Sequence, residues 1–302
     1  MAYCKDCLYC VWDDRVTDYR REPGRYVFCS RKGAFFSRNY RVHEGTRIAP
    51  EDLACEQFEP KESEKQPSFA AVIVAAGNST RMGGTVSKLL LPLADEPVLA
   101  HTLCAFDACE RLDRVVVVTR EEDREAFIPL MVRFCHKPYC LVCGGQTRQE
   151  SVANGIEAAG EADYYVIHDG ARPLITPQLI DAVCVDAMQW GASTLAVPVK
   201  DTCKLADENG FVTATPDRSA LWAVQTPQVF ESTLYRSALE KSRAAGLDFT
   251  DDCQLVEYVG GKVHLCRGSY ENMKMTTPED LIQAQALLLG RQNKSEKGAD
   301  EK

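Results

Sequence analysis

Between residues 68 and 290, short apolar runs alternate with longer stretches in which apolar residues recur at helical spacing. Runs rich in β-branched residues and bounded by turn residues predict buried strands, whereas apolar residues three or four positions apart predict helices with one buried face. The predicted strands are 70–75, 115–119, 139–142, 164–168, 194–199 and 262–266. The predicted helices are 98–106, 122–134, 148–158, 177–188 and 278–288.

This alternation of strand and helix is typical of a mainly parallel, twisted sheet with helices on both faces. We therefore predict an α/β fold of that class. In such sheets ligands bind at the carboxyl ends of the strands, so the loops that follow the strands are the first place to look for a site.

Residues 200–221 interrupt the alternation. Two short strand-like pieces flank Asn209 and Gly210, a dipeptide that favours a tight hairpin turn. We predict a two-stranded arm that projects from the sheet. Because such an arm is marginally stable alone and commonly packs on a second subunit, it predicts a homodimer.

The ends of the chain differ from its middle. Residues 59–67, EPKESEKQP, are polar and charged and end in proline, which predicts a linker. Residues 291–302 have a similar composition and predict a disordered tail. The chain is thereby divided into a Cys-rich module at 1–58, the linker, and a main domain at 68–290.

Five of the 14 cysteines lie within the first 55 residues. Cys4, Cys7 and Cys10 are separated by two residues each and are followed by Cys29 and Cys55. This layout is typical of a small Zn²⁺ module whose thiolates supply the stability that a small core lacks. The spacing leaves the ligands open. They are Cys4, Cys7, Cys29 and Cys55, or a set in which Cys7 and Cys10 form the first pair. An iron–sulfur cluster and reduced cysteines without metal are the alternatives.

Composition and charge exclude some partners. The 302-residue chain has 45% hydrophobic and 26% charged residues, as globular proteins do. Its net charge is −9, and because residues 1–67 carry 12 basic and 12 acidic side chains, the excess acid lies downstream. That balance argues against nucleic acid, which requires a basic surface. Since no apolar run approaches membrane-helix length and the N-terminus lacks a signal-peptide layout, we expect a cytoplasmic protein without a membrane partner.

The segment AAGNSTRMGGTVSK, residues 75–88, directly follows the apolar run FAAVIV. Its small residues let the main chain approach a ligand, Gly77 can adopt positive φ, and the N–H groups of such a turn can surround an anion. Arg81 and Lys88 add positive charge for phosphates. The segment is neither a Walker loop nor a G-x-G-x-x-G loop, and we predict a triphosphate-binding loop of another type. A loop with incidental charges is the alternative.

Three further segments carry candidate chemistry. In HDGARP, residues 168–173, Asp169 stands at a strand end, where a carboxylate suits Mg²⁺ that also binds phosphates. In GGQTRQESV, residues 144–152, the first amides of a helix could contact a base, and the small Ser151 leaves room for a flat ring. For both segments helix capping is the alternative. Lys274 precedes a helix that begins with proline and could stabilise charge on a phosphorus centre.

These segments, together with PVKDTCK, TPDRSALWAVQTPQVF, TDD and GSYENMKMTTPEDL, resemble the 2-C-methyl-D-erythritol 4-phosphate cytidylyltransferases of the non-mevalonate isoprenoid pathway. The resemblance covers roughly residues 68–290 in matching order and implies a Rossmann-like nucleotidyltransferase fold. It also implies a homodimeric enzyme that uses Mg²⁺ and transfers a cytidylyl group from CTP to methylerythritol phosphate, with release of pyrophosphate.

The resemblance further implies a role for residues of each segment. The implied catalytic cations are Arg81, Lys88 and Lys274, and Asp169 is the implied ligand of Mg²⁺. The implied CTP-binding residues, besides Asp169, are Ala75, Ala76, Gly77, Gly145, Gln146, Ser151 and Gly170. The implied residues for the polyol phosphate are Arg172, Asp201, Thr202, Arg218 and Thr226, of which Thr202 and Arg218 would reach the site of the partner subunit.

The sequence departs from the family pattern at three positions. Ser79 and Ser87 stand where the family commonly has glycine and proline, and Gly170 stands where it commonly has alanine. Serine at 79 tolerates fewer backbone angles than glycine, and the loss of proline at 87 loosens the loop before Lys88, so both departures predict weaker CTP binding without its loss. Two other functions compete with this interpretation: a ribitol 5-phosphate cytidylyltransferase, against which HDGARP and PDRSALW argue, and a metal-binding regulatory protein with a decayed transferase domain. The presence of every charged site residue argues against decay.

Overall fold

In the computed structural model, residues 66–77 and 87–291 are described in full. The main chain alone is described for residues 10–12, 26–29, 34–37, 47–48 and 292–300. The chain divides into two compact units, Met1–Gln66 and Pro67–Lys302, which we treat separately.

The described strands of the first unit are β1 (Cys10–Trp12), β2 (Tyr26–Cys29), β3 (Ala34–Ser37) and β4 (Arg47–Ile48). They form one sheet in chain order, in which β1, β2 and β3 are antiparallel neighbours and β4 is parallel to β3. The register of the first pair sets Cys10 opposite Cys29. The predicted metal ligands Cys4, Cys7 and Cys55 lie outside the described residues.

In the second unit the strands are β5 (Phe69–Val74), β6 (Pro92–Leu93), β7 (Glu96–Pro97), β8 (Arg114–Thr119), β9 (Tyr139–Cys143), β10 (Tyr164–Asp169), β11 (Ala192–Pro198), β12 (Leu205–Ala206), β13 (Val212–Ala214), β14 (Trp222–Glu231) and β15 (His264–Arg267). Seven of them form one sheet in the order β15–β11–β14–β10–β5–β8–β9. All neighbours run parallel except β14, which is antiparallel to β10 and β11. The mainly parallel sheet is thereby confirmed, and every strand of it other than β14 ends at the same edge.

The helices are α1 (Val98–Asp107), α2 (Arg124–Phe134), α3 (Arg148–Ala159), α4 (Pro177–Trp190), α5 (Ser232–Ala244), α6 (Asp252–Tyr258) and α7 (Pro278–Asp300). Side chains of α1, α2, α4 and α7 pack on one face of the sheet, and those of α3, α5 and α6 pack on the other. In β5, Phe69 and Ile73 belong to the first cluster and Ala70 and Val72 to the second, because successive side chains of a strand point to opposite faces. Burial on both faces explains the unbroken apolar run of this strand.

The predicted arm is also present. Its two strands, β12 and β13, are antiparallel, and Gly210 in the turn between them has a φ of 85°. The side chain of Asp207 accepts hydrogen bonds from the amides of Asn209 and Phe211, both at 2.9 Å, which stabilises the turn. Both strands are exposed along their whole length.

All predicted strands and helices occur, but the pattern missed β14, α5 and α6. The sequence of β14, WAVQTPQVFE, has polar residues and a proline where a central strand is normally apolar. Its residues Gln225, Thr226 and Gln228 are nevertheless buried, because their side chains hydrogen-bond to neighbouring strands and loops.

The last helix differs from the prediction at its end. It continues to Asp300, through residues whose composition predicts a disordered tail. Arg, Gln, Lys and Glu are common in this stretch and are good helix formers, which explains why the helix can extend. Among the described helices, none combines the length and apolar character needed to cross a bilayer.

Candidate functional site

A cavity of about 290 Å³ opens where the parallel strands end. Its lining comes from the end of β5, the segment around Lys88, the start of α3, and the loops that follow β10 and β15. The predicted site residues that line it are Ala75, Ala76, Gly77, Lys88, Gly145, Gln146, Ser151, Asp169 and Lys274. Arg81 and Ser79 lie outside the described residues.

Asp169, the last residue of β10, is surrounded by cations. The Nζ of Lys274 lies 2.8 Å from its Oδ2, the Nε of Arg172 lies 3.8 Å from the same oxygen, and Nη2 of Arg148 lies 3.7 Å from Oδ1. Burial raises the pKa of the Asp169 carboxyl, but the three cations outweigh burial and hold that pKa well below its ordinary value. The carboxylate is therefore ionised at every pH near neutrality.

The loop that carries Lys274 is tied to the rest of the site by its main chain. The N–H of Met275 donates to the carbonyl of Ala171, and the carbonyl of Met275 accepts from the Nζ of Lys88. Both hydrogen bonds are 2.8 Å long. Lys88 begins a short 3₁₀ turn that follows the predicted phosphate loop. Two of the three predicted cations are thus brought to the cavity together with Asp169.

The start of α3 is shaped by its own side chains. Thr147 caps the helix by accepting from the amide of Glu150, whose carboxylate in turn accepts from the amide of Gln146 at 2.6 Å. The hydroxyl of Ser151 accepts from the amide of Gly145 at 3.1 Å. The cap of this helix is therefore Thr147 rather than Ser151, and the amides of Gly145 and Gln146 donate to side chains of the same segment.

Gly144, next to the cavity lining, and Gly77, within it, differ in what the structure requires of them. A Cβ at Gly144 would lie 2.6 Å from the Cβ of Ala76 and 2.8 Å from the Oγ of Ser151, so only glycine lets this loop lie against the end of β5. Gly77 does not have the positive φ that the sequence suggested, and nothing lies within 4 Å of the position its Cβ would take.

Arg148 and Asp252 were missed by the sequence prediction, although both lie in quoted segments. Nη1 of Arg148 lies 2.6 Å from Oδ2 of Asp252, and the buried hydroxyl of Tyr235 donates to Oδ1 of Asp252. Burial lowers the pKa of Arg148, but Asp252 and Asp169 outweigh burial and raise it. Arg148 therefore joins the cavity to a buried acid on α6. The sequence did offer one indication of this pair, since Arg148 and Asp252 carry opposite charges in two segments assigned to the same site.

Three predicted site residues lie behind the cavity rather than in its lining. Gly170 donates its N–H to the carbonyl of Val74 at 2.9 Å. The guanidinium of Arg172 donates to the carbonyl of Asn272 at 2.8 Å. Thr226 is buried, and its hydroxyl accepts from the amide of Asp169.

Three other predicted residues lie at the base of the arm. Asp201, Thr202 and Arg218 are exposed and are not part of the cavity lining. Nη1 of Arg218 donates to the carbonyl of Lys200 at 3.0 Å. Within one chain, the structure does not bring these residues to Asp169.

Comparison with known proteins adds sequence evidence to this geometry. Residues 69–290 match the family described as IspD, 2-C-methyl-D-erythritol 4-phosphate cytidylyltransferase. The chain belongs to this cytidylyltransferase family. Two curated cytidylyltransferases of this name, from Syntrophotalea carbinolica and Caldanaerobacter subterraneus, are each 46% identical to the chain. Each match covers 73% of this chain, and it covers 96% of the first relative and 99% of the second.

Solved cytidylyltransferase structures show the same architecture. The 4-diphosphocytidyl-2C-methyl-D-erythritol synthase of Anaerococcus prevotii superposes with a TM-score of 0.67 at 30% identity, over 74% of this chain and 99% of that one. The 2-C-methyl-D-erythritol 4-phosphate cytidylyltransferase of Thermus thermophilus superposes with a TM-score of 0.59 at 31% identity, over 72% and 97%. The chain is therefore a nucleotidyltransferase whose catalytic unit spans almost the whole length of these relatives.

Proposed function

We propose that the protein transfers a cytidylyl group from CTP to 2-C-methyl-D-erythritol 4-phosphate, giving CDP-methylerythritol and pyrophosphate. The observation that carries the proposal is the pair of Asp169 and Lys274, 2.8 Å apart in a cavity at the carboxyl edge of the sheet. Family membership supports the same reaction, and the intact cluster of cations around Asp169 argues against a decayed transferase domain.

In the proposed reaction, a phosphate oxygen of the polyol phosphate attacks the α-phosphorus of CTP in line. A new P–O bond forms as the bond to pyrophosphate breaks. The attacking phosphate is already anionic near neutral pH, so no residue has to remove a proton. Catalysis then consists of positioning and neutralising charge, for which we assign Lys88 and Lys274 at the cavity and Arg81 on the preceding loop.

Asp169 suits magnesium. Mg²⁺ commonly takes one or two protein carboxylates and completes its shell with waters and substrate phosphates. Oδ2 of Asp169 is held by Lys274, whereas the nearest cation to Oδ1, Arg148, is 3.7 Å away, which leaves Oδ1 as the oxygen for a metal. Bound there with CTP, Mg²⁺ would neutralise charge on the phosphates.

For the cytosine ring we assign the pocket between the end of β5 and the start of α3. Ala75, Ala76, Gly145, Gln146 and Ser151 line it and carry small or flexible side chains. The close packing at Gly144 holds these two segments side by side at one wall of the cavity.

For the polyol phosphate we assign Arg172, Asp201, Thr202 and Arg218. Because the last three lie at the exposed base of the arm, we propose that they complete the cavity of a second copy in a homodimer. Exposed apolar side chains on the arm, Phe211 at 72% and Val212 at 60%, support such packing, since side chains of this kind gain stability when a partner covers them.

For the Cys-rich module we propose a structural Zn²⁺ site. Cys29 is a ligand in either predicted set, and the register that sets Cys10 opposite Cys29 supports the set that includes Cys10. The proposal is tested by the zinc content of the full chain with Cys4→Ser or Cys10→Ser. Replacing a cysteine that binds zinc should lower the zinc content, and replacing a cysteine that does not should leave the content at one zinc ion per chain. A wild-type chain without metal would refute the site.

The transferase proposal is tested by pyrophosphate release. With CTP and Mg²⁺, the full chain should release pyrophosphate rapidly with methylerythritol phosphate and far more slowly with ribitol 5-phosphate. Release with ribitol 5-phosphate alone would overturn the substrate assignment. No release with either substrate would favour a regulatory role for the chain.

A further inference from the structure

Strand β14 lies beside β10, but their ladder stops short of the cavity. The last paired residues are Ile167 and Gln228, and the next residue of β14 toward the cavity is Pro227, which has no N–H to donate. Beyond it, the main-chain N–H of Asp169 donates to the hydroxyl of Thr226 over 3.0 Å. A side chain therefore replaces the main chain as the partner of the residue that bears the carboxylate of the site.

The ring of His168 fixes the direction of the next hydrogen bond. Its Nε2 lies 3.4 Å from the carbonyl oxygen of Arg172, which can only accept, so Nε2 carries the proton. Nδ1 must then accept, and the hydroxyl of Thr226, 3.0 Å away, donates to it. His168 is fully buried, and its two ring nitrogens contact a carbonyl and a hydroxyl rather than a carboxylate, an environment that favours the neutral ring.

The hydroxyl of Thr226 accepts from Asp169 and donates its single proton to His168, and the residue is only 4% exposed. It has no proton left for a substrate phosphate. We propose that Thr226 and His168 are positioning residues, which hold Asp169 in the orientation that the nucleotide phosphates require. This inference rests on the proposed function, because that function assigns Asp169 to the magnesium of CTP.

The orientation of Asp169 matters because cations surround its carboxylate at unequal distances. Lys274 lies 2.8 Å from Oδ2, whereas Arg148 lies 3.7 Å from Oδ1. Without its main-chain anchor, Asp169 can turn Oδ1 toward Arg148, and both oxygens would then be engaged by cations of the protein. The residues assigned to the cytosine ring lie on other segments. Loss of the anchor should therefore lower kcat more than it weakens CTP binding.

The test compares three variants of the full chain. Thr226→Val keeps the shape of the side chain but leaves two buried groups without a partner, and it should lower kcat about tenfold while changing the KM for CTP less than about threefold. Thr226→Ser restores the hydroxyl and should stay within about threefold of wild type. Thr194→Val is the matched control, because it removes a buried hydroxyl that donates to the carbonyl of Gln225 on the same strand without touching Asp169.

Thermal unfolding separates positioning from folding. Thr226→Val and Thr194→Val should lower Tm by similar amounts, and only the first should lower kcat. If Thr226→Val keeps the kcat of wild type, or if Thr194→Val loses as much, the inference is wrong. A double variant with His168→Phe should lose no more kcat than the worse single variant, because the two residues act through one contact. Additive losses would contradict the shared role.

NMR with isotopically labelled histidine gives a readout independent of activity. In the wild type, Nδ1 of His168 should show the shift of an unprotonated, hydrogen-bonded nitrogen, and Thr226→Val should move that shift whereas Thr194→Val should not. A protonated Nδ1 in the wild type would overturn the inference whatever the variants do. If the wild type released no pyrophosphate, the proposed function would fail, and the NMR result would still decide whether Thr226 holds His168.

Discussion

The two halves of the proposed site differ in how completely one chain builds them. Around Asp169, three cations lie within 4 Å of a buried carboxylate, and two of them are held by further contacts, Arg148 by Asp252 and Arg172 by the carbonyl of Asn272. At the base of the arm, Asp201, Thr202 and Arg218 are exposed, and the arm itself has apolar side chains in solvent. In the proposed function, the nucleotide half is therefore preorganised within the chain, whereas the polyol half would need a second copy to complete it.

This difference has an energetic reason. A buried cluster of like charges is stable only around an opposite charge, so Asp169 and its cations have to be assembled during folding. Exposed Arg218 has no such requirement, since water solvates it until a phosphate arrives. Variants of the two halves should accordingly fail in different ways.

The largest effect is expected from Asp169→Asn. The variant leaves the cations without their central charge and removes the proposed metal ligand, so kcat/KM should fall about a thousandfold. Pyrophosphate release at saturating Mg²⁺ measures the loss. Asp123→Asn is the matched control, because Asp123 is also a buried acid paired with an arginine, Arg120, but lies outside the cavity lining. Equal losses in the two variants would show that stability, not the site, is responsible.

Lys274→Met should follow, with a loss of about a hundredfold in kcat. The side chain is 43% exposed, so its removal should change Tm little while it removes one of the charges that we assign to the phosphates. Lys241→Met on the exposed face of α5 controls for the change in net charge. If Lys274→Met kept the kcat of wild type, this lysine would take no part in the reaction.

Arg218→Ala should affect the polyol half alone. We expect the KM for methylerythritol phosphate to rise about tenfold while the KM for CTP is unchanged, since a single charge-assisted phosphate contact is removed. Arg243→Ala on α5, also exposed, is the control.

Mixing two defective variants tests whether Arg218 acts across subunits. Arg218→Ala and Lys274→Met chains, unfolded together and refolded, should regain activity, because a mixed dimer contains one site with both residues intact. No recovery, with mixed dimers demonstrated by a tag on one chain, would place Arg218 in the site of its own chain.

The smallest effect is expected from removal of residues 1–66. The chain divides into two compact units at residue 66, and the family match begins at residue 69, so kcat and both KM values should stay within about twofold of the full chain. A truncated chain that folds but is inactive would mean that the Cys-rich unit takes part in the reaction.

The apolar pattern predicted the parallel strands because they are buried on both faces, and Asp169, Ala75 and Ala76 could be placed at their ends by the same reasoning. It missed β14 because Gln225, Thr226 and Gln228 are buried for their hydrogen bonds, which hydropathy cannot reveal. Its place before a proline-initiated helix and the family resemblance identified Lys274 but not Arg148, whose importance depends on Asp252, a residue more than a hundred positions away. Contacts at that separation are set by the folded sheet.

The contact between Lys88 and Met275 joins residues 187 positions apart. During synthesis the first strand of this domain leaves the ribosome long before the loop that supplies Lys274, so a nascent chain has the segments that we assign to the base before it has the complete set of charges around Asp169. Nucleotide should therefore be retained only by chains translated past α7, and fragments from premature termination would not sequester CTP from the finished enzyme.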